Sequence, residues 1–268
     1  QVPVTGSDSN LQSEAVISLC EKGVEILPGH MAGNIEKVLP DFLIRTAAVH
    51  DDDPEIARAR ELNIPVFERA EAYGALMREY QNAVCFAGTH GKTTSTSMFI
   101  CIAMAAGIDP SVMLGGTLPL IGGGCRVGKH DMFILEACEY RNSFLSFAPS
   151  VAVILDIDAD HMDFFKDLDD ISRSFRKFAE LVPKETGKVV ANIDDRNTVE
   201  CLNGLDRDVI TFGFSQKADV TCDDISFDKG IARFSLVIKG KKTTEIKLLV
   251  PGRHNISNAL SAAAAAYC

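Results

Sequence analysis

The run Gly88-Thr89-His90-Gly91-Lys92-Thr93-Thr94 holds residue types that together can grip a polyphosphate. Glycines permit a tight turn in which successive backbone N–H groups point into one concavity, and such a turn at a helix N-terminus favours anions. Lys92 adds a full positive charge able to reach outer phosphates, and the Thr93 hydroxyl can ligate Mg²⁺. A second set of candidates lies downstream. Glu136 closes the apolar run 132–135, and His161 follows the carboxylates Asp156, Asp158 and Asp160 after the apolar run 151–155. Hard oxygen ligands with one imidazole suit Mg²⁺ held against phosphate oxygens. Taken singly, Glu136 also reads as a solvated strand-end carboxylate and His161 as a loop or helix-start histidine, and the Asp160-His161-Met162-Asp163 run also reads as unrelated surface groups.

These side chains need a particular scaffold. Residues 83–87 are a short apolar run that predicts a buried strand entering the loop, and residues 93–106 predict a helix leaving it. The loop is not of the G-x-x-x-x-G-K-[ST] spacing, because Phe86 stands where that pattern needs glycine; it is a shorter G-T-x-G-K-T form. The alternative is a glycine-rich turn that binds nothing, but strand, turn, lysine, hydroxyl and helix together favour a phosphate loop. Carboxylates at the carboxyl ends of parallel strands lie where α/β sheets bind ligands, so Glu136 and His161 are expected near Lys92 and Thr93.

Along the chain, strand and helix signals alternate. Strands are expected at 2–6, 24–27, 42–47 and 65–67, and helices at 11–21, 53–62 and 70–80. Asp53-Pro54 supplies a cap and a first-turn proline for the second of these helices. A second unit follows with strands at 83–87, 111–115, 132–138, 151–157, 188–192 and 209–214 and a helix at 168–181. From 218 to 250 the pattern becomes alternating strands with tight turns at 228–230 and 239–241, an antiparallel edge, before a helix at 256–267. The reading is α/β: a Rossmann-like domain over 1–81, then a P-loop ATPase-type domain over 82–268 with a mostly parallel sheet. The chain begins within a strand and stops on an apolar helix face, which predicts a fragment of a longer protein.

A chain of 268 residues has room for about two domains. Its net charge of −10 argues against a nucleic-acid partner, which needs a basic face. No stretch of about 18 apolar residues suggests membrane insertion. The eight cysteines are scattered without C-x-x-C and mostly sit in apolar runs, as reduced buried thiols of a cytoplasmic protein do. No motif sets an oligomeric state.

Four runs together resemble the Mur ligase family: the Gly88–Thr94 loop, Leu135-Glu136-Ala137-Cys138-Glu139, Asp160-His161-Met162-Asp163 and Pro251-Gly252-Arg253-His254-Asn255-Ile256-Ser257-Asn258. Their order fits, as do the positions 92, 136 and 161 of the three main side chains. His90 within the loop, with Thr5-Gly6-Ser7-Asp8 and Glu68-Arg69-Ala70-Glu71, is similar to the branch that adds L-alanine to UDP-N-acetylmuramate in peptidoglycan synthesis. The resemblance implies a UDP-sugar-binding domain, an ATP-binding domain, and a third, C-terminal ligase domain expected beyond Cys268. It implies that ATP phosphorylates the lactyl carboxylate and that the amino acid's amine displaces phosphate from the acyl phosphate, so that one difficult step becomes two easier ones.

By that resemblance Lys92 meets the β/γ-phosphates, backbone N–H groups from His90 to Thr94 form the cradle, and the whole run Gly88, Thr89, His90, Gly91, Lys92, Thr93, Thr94 touches the nucleotide. Thr93 and Glu136 hold one Mg²⁺, and His161 helps hold a second. Asn255 and Asn258 contact ATP, with Asn258 reading adenine and His254 nearby; helix capping is the other reading of Asn255. Ser7 and Arg69 are candidates for UDP-sugar contacts. Cys138-Glu139-Tyr140-Arg141 departs from the more acidic Asp-Glu-Ser-Asp of many relatives, which leaves those positions without a role. Rival readings are a sister ligase that attaches a ready-made tripeptide or D-glutamate, a nucleotide-binding module without ligase activity, and a plain P-loop hydrolase.

Overall fold

A computed structural model describes residues 3–46 and 48–268. The chain forms two compact units, Gln1–Ala72 and Tyr73–Cys268. In the first, strands β1 (Thr5–Asp8) and β2 (Glu25–Pro28) pair in parallel, as do β3 (Leu43–Arg45) and β4 (Val66–Glu68). Helices α1 (Glu14–Glu21), α2 (Ala32–Val38) and α3 (Pro54–Glu61) lie between them. Ser13 caps α1 by accepting from Val16 N–H, and Asp53 caps α3 with Pro54 in its first turn. Val16, Leu27, Ile35, Ile56 and Ala59 are buried and form this unit's core. The sequence gives no hint of α2, which has no side-chain cap and ends on Leu39 in the left-handed region. Val2 and Ala47, expected in strands, lie outside the described residues.

Helix α4 (Arg69–Met77) leads from one unit into the other. The expected boundary falls after residue 81, whereas compactness divides the chain after Ala72. Residues just beyond Ala72 are tied into the second unit. A Cβ on Gly74 would lie 1.9 Å from the Ser146 carbonyl, and Tyr80 Oη donates to Ser111 Oγ at 2.9 Å.

The second unit holds a ten-stranded sheet. Its elements in chain order are β5 (Asn82–Ala87), α5 (Lys92–Ala105), β6 (Ser111–Leu118), β7 (Gly123–Arg126), β8 (Met132–Glu136), β9 (Val151–Ile154), α6 (Leu168–Glu180), β10 (Lys188–Asn192), α7 (Arg196–Cys201), β11 (Asp208–Phe212), β12 (Val220–Asp228), β13 (Ile231–Ile238), β14 (Lys241–Pro251) and α8 (His254–Tyr267). Strand order is β14-β13-β12-β11-β10-β9-β5-β8-β6-β7. The strands from β12 to β6 in this order pair in parallel, and β12, β13 and β14 run antiparallel as expected. Lys229-Gly230 and Lys239-Gly240 all have positive φ, the backbone that two-residue hairpins need. The opposite edge is antiparallel too, through β6 and β7, a short glycine-rich strand without an alternating signature.

Alternation along the buried strands builds the core. Val84, Phe86, Ile134, Val153 and Val190 share one cluster with Phe99 and Ile100 of α5 and Ile256 and Leu260 of α8. On the other side α6 stacks Phe178 on Phe144, ring centroids 4.7 Å apart, with Phe175 edge-on. Each fully buried aromatic or branched aliphatic contributes roughly 1.5–3 kcal/mol relative to exposure. The apolar face of α8, expected to seek a partner further along the chain, packs within this unit against α5 and the sheet. The registers Phe86↔Glu136 and Ala87↔Ile154 bring the carboxyl ends of β5, β8 and β9 level, which creates one rim for functional side chains.

Candidate active site

The loop between β5 and α5 occupies that rim. Gly88 has φ +151, and a Cβ there would lie 2.8 Å from both Asp156 Oδ1 and Leu155 Cβ. Gly91, the residue before α5, has φ +78, and a Cβ there would lie 2.5 Å from Asn258 Oδ1. Both positions therefore need glycine for space and for backbone angle. The first-turn N–H groups of α5, from Lys92 to Thr94, have no carbonyl partner within the helix and carry the positive end of its dipole.

Asp156 clamps the loop from the end of β9. Its backbone carbonyl accepts from Thr89 N–H at 3.2 Å, and its Oδ1 accepts from His90 N–H at 2.8 Å. Burial raises the Asp156 pKa, and the His90 N–H works against that shift. Thr89, itself buried, exchanges hydrogen bonds with the Asp158 backbone through its hydroxyl. The His90 N–H, expected in the cradle, is thus engaged by Asp156, while the His90 side chain is exposed.

Lys92 and Thr93 point to different carboxylates. Thr93 Oγ1 lies 3.0 Å from each oxygen of Glu136, and Gly115 N–H donates to Glu136 Oε2 at 2.9 Å. A Cβ on Gly115 would sit 2.9 Å from that same oxygen, so glycine in β6 is what lets the carboxylate approach. A hydroxyl and a carboxylate converging in this way are hard oxygen donors fit to hold one Mg²⁺. Lys92 Nζ turns instead to the Gly88 carbonyl at 2.5 Å, the Thr89 carbonyl at 3.3 Å, and the two oxygens of Glu139 at 3.2 and 3.1 Å. Glu139 is 2% exposed.

His161 joins the Lys92 side of the site. Its Nε2 is 3.8 Å from Glu139 Oε1 and 3.8 Å from Asp160 Oδ2, and its ring packs on Tyr140, centroids 4.7 Å apart. Its backbone is left-handed at φ +53, one of the strained conformations that gather at functional sites. Glu139, Asp160 and His161 place one ligand atom each within 4.8 Å of one another.

From α8, Asn258 Oδ1 accepts from Ser95 Oγ at 3.1 Å, and Asn258 Nδ2 donates to Asn255 Oδ1 at 2.9 Å. Asn255 Nδ2 donates to the Pro251 carbonyl at 2.7 Å. Both asparagines are buried and brace the loop from behind, whereas His254 is exposed with its ring over Gly252. Expected as an adenine contact, Asn258 has both ends of its amide bonded within the protein.

The first unit has its own cleft of about 650 Å³. Ser7, His30, Asn34, Asp53 and Glu55 are among its lining residues; Arg69, exposed at the start of α4, is not. Ser7 Oγ and Asn34 Nδ2 each donate to buried Glu55 at 2.6 Å, and His30 Nδ1 lies 2.8 Å from Asp53 Oδ2.

Two positions of this candidate site escaped sequence reasoning. Glu139 sits among residues left without a role, and its signal was faint: a carboxylate three positions beyond a strand-end carboxylate, needing a cationic partner once buried. Asp156 stood in view before His161, but its clamp on the loop depends on the pairing of β5 with β9.

Two family models together match most of the chain. The Mur ligase middle domain matches residues 86–266, and the Mur ligase family catalytic domain matches residues 2–81. The chain belongs to the Mur ligase family. It is 45% identical over 265 residues to the UDP-N-acetylmuramate–L-alanine ligase of Caldanaerobacter subterraneus subsp. tengcongensis, an alignment covering 98% of this chain and 57% of that protein. This Mur ligase chain thus spans a little over half the length of the curated relatives it matches. The crystal structure of UDP-N-acetylmuramate-alanine ligase from Thermotoga maritima superposes with a TM-score of 0.81 at 30% identity, over 97% of this chain and 57% of that one. The UDP-N-acetylmuramate:L-alanyl-gamma-D-glutamyl-meso-diaminopimelate ligase from Neisseria meningitides gives 0.88 at 24% identity, over 98% of this chain and 85% of that one, and shows the shared fold. Among the described residues of this Mur ligase, no helix is long and apolar enough to cross a membrane.

Proposed function

We propose that this chain carries the nucleotide- and sugar-binding parts of an ATP-dependent amide ligase that joins L-alanine to the lactyl carboxylate of UDP-N-acetylmuramate. The observation that carries the reading is the pair of carboxylates beneath one phosphate loop, Glu136 against Thr93 and Glu139 against Lys92. The choice of L-alanine rests on the relatives at 43–46% identity that bear that name.

In this reading residues 82–268 bind ATP. First-turn N–H groups from Lys92 to Thr94 cradle the phosphates, and the Lys92 ammonium neutralises the outer ones. Thr93 and Glu136 would hold Mg²⁺, with His161 on a second; the ion supplies charge that stabilises the transferring phosphoryl group. Asp156 keeps the loop in place through Thr89 and His90, and Asn255 and Asn258 brace it from α8. Residues 1–81 bind the UDP-sugar, with the cleft beside Ser7 and His30 as its place and Arg69 as an outlying contact. The enzyme works in the cytoplasm on small-molecule substrates, with no nucleic acid and no membrane insertion. The contribution of the chain is positioning and charge neutralisation.

The test is product analysis. The chain, expressed from its complete reading frame, is incubated with ATP, Mg²⁺, UDP-N-acetylmuramate and either L-alanine, D-glutamate or the tripeptide. The reading expects a new amide and released phosphate with L-alanine. Phosphate release without sugar indicates a hydrolase, and a product only with the tripeptide or D-glutamate indicates a sister ligase.

A further inference from the structure

The loop lysine is held away from solvent by acceptors of its own protein. An ammonium has three protons, and Lys92 Nζ has four oxygens within 3.3 Å: the Gly88 and Thr89 carbonyls and both oxygens of Glu139. The charge that the proposed function assigns to phosphate is already matched by a carboxylate that is 2% exposed. Phosphate oxygens have to compete with that carboxylate for Lys92.

Glu139 is fixed while Lys92 has a long, rotatable stem. The segment around Glu139 is anchored by three backbone hydrogen bonds and one between side chains. Ala137 N–H donates to the Phe86 carbonyl at 2.8 Å, Phe144 N–H to the Cys138 carbonyl at 3.1 Å, and Asn142 N–H to the Glu139 carbonyl at 2.9 Å. Ser174 Oγ of α6 donates to Asn142 Oδ1 at 2.6 Å. Arg141 and Asn142 are both left-handed, at φ +53 and +58, and two such non-glycine residues in a row persist only where the surroundings over-determine them. The strain locates the carboxylate rather than freeing it.

We propose that Glu139 is a positioning residue for Lys92, an internal anion that draws the ammonium back toward Gly88 and weakens nucleotide binding in doing so. The inference rests on the reading of Lys92 as the phosphate-binding cation. If Lys92 turns to the phosphates, a buried carboxylate loses its partner. If Lys92 stays, the phosphates go without its ammonium. Either route lowers affinity, so removing the carboxylate charge raises it.

The experiment is calorimetric titration of the protein, expressed from its complete reading frame, with ATP, with and without Mg²⁺, for the unmodified chain, Glu139→Gln, Lys92→Ala and the double variant. Glu139→Gln is expected to bind ATP about tenfold tighter, the scale of one hydrogen bond to a charged group. That gain is expected both with and without Mg²⁺ and to vanish in the Lys92→Ala background; Glu139→Asp, which keeps the charge, stays near the unmodified chain. Should Glu139→Gln fail to fold, Glu139→Thr, neutral but still offering Lys92 a hydroxyl acceptor, carries the same expectation. Affinity that is unchanged or weaker in Glu139→Gln overturns the proposal. So does a gain that persists without Lys92, and so does a loss confined to Mg²⁺, which would make Glu139 a metal ligand. No ATP binding by the unmodified chain refutes the nucleotide reading itself, and the inference with it.

Discussion

Gly91→Ala tests the loop's geometry without touching a charged group. At φ +78 an alanine costs roughly 1–2 kcal/mol of backbone energy. Its Cβ would also lie 2.5 Å from Asn258 Oδ1, so the amide has to move. That movement breaks the Ser95 Oγ to Asn258 Oδ1 bond, 3.1 Å long between two buried residues, at about 1 kcal/mol more. The sum is about 2–3 kcal/mol, which for a unit of this size lowers Tm by roughly 4–12 °C. Calorimetry following the transition of the larger unit, with urea denaturation to check that m is unchanged, measures it. Adding Asn258→Ala to Gly91→Ala relieves the overlap but not the backbone cost, so the two substitutions together should destabilise by less than the sum of each alone. A Gly91→Ala chain with unaltered Tm and midpoint would refute the argument, because neither the left-handed backbone nor the close approach would then be real.

Two further expectations concern the carboxylate rim. Thr93→Ala removes the hydroxyl 3.0 Å from both Glu136 oxygens; Mg²⁺ should then raise ATP affinity far less than it does in the unmodified chain, as read by titrations with and without the ion. Burial raises the folded pKa of Asp156 above its unfolded value, so its contribution to stability is full below the unfolded pKa and fades as pH rises through the folded one. Urea denaturation of the unmodified chain and Asp156→Asn across the acidic range up to neutrality should show the unmodified chain losing ground to the variant as pH rises; a constant difference contradicts the shift.

Local chemistry was legible in the sequence and tertiary consequences were not. The phosphate loop could be read because its glycines, lysine, hydroxyl and flanking strand and helix are contiguous. The parallel core and the turns at Lys229-Gly230 and Lys239-Gly240 were legible for the same reason: alternation and turn residues are short-range signals. Helix α2 was not, because it lacks a side-chain cap. Strand β7 was not, because it is held only by its neighbour at the sheet edge. Strand β8 was expected to run to residue 138 but stops at Glu136, and the chain then enters a 3₁₀ segment, Tyr140–Ser146, kinked within by the left-handed Arg141 and Asn142. That turn is what buries Glu139 beside Lys92, and no periodicity in the sequence encodes it. Asn258 could be placed by its motif, but its bracing of Gly91 follows from α8 packing against α5.

The central claim is that Lys92 serves a nucleotide's phosphates at the head of α5, and titration of the chain with Mg²⁺ and ATP beside its Lys92→Ala variant tests it most directly. One ATP per chain is expected, with an affinity loss of about 10–100-fold in the variant, the scale of one lost charge-assisted contact. Equal affinity in the two folded proteins would contradict it.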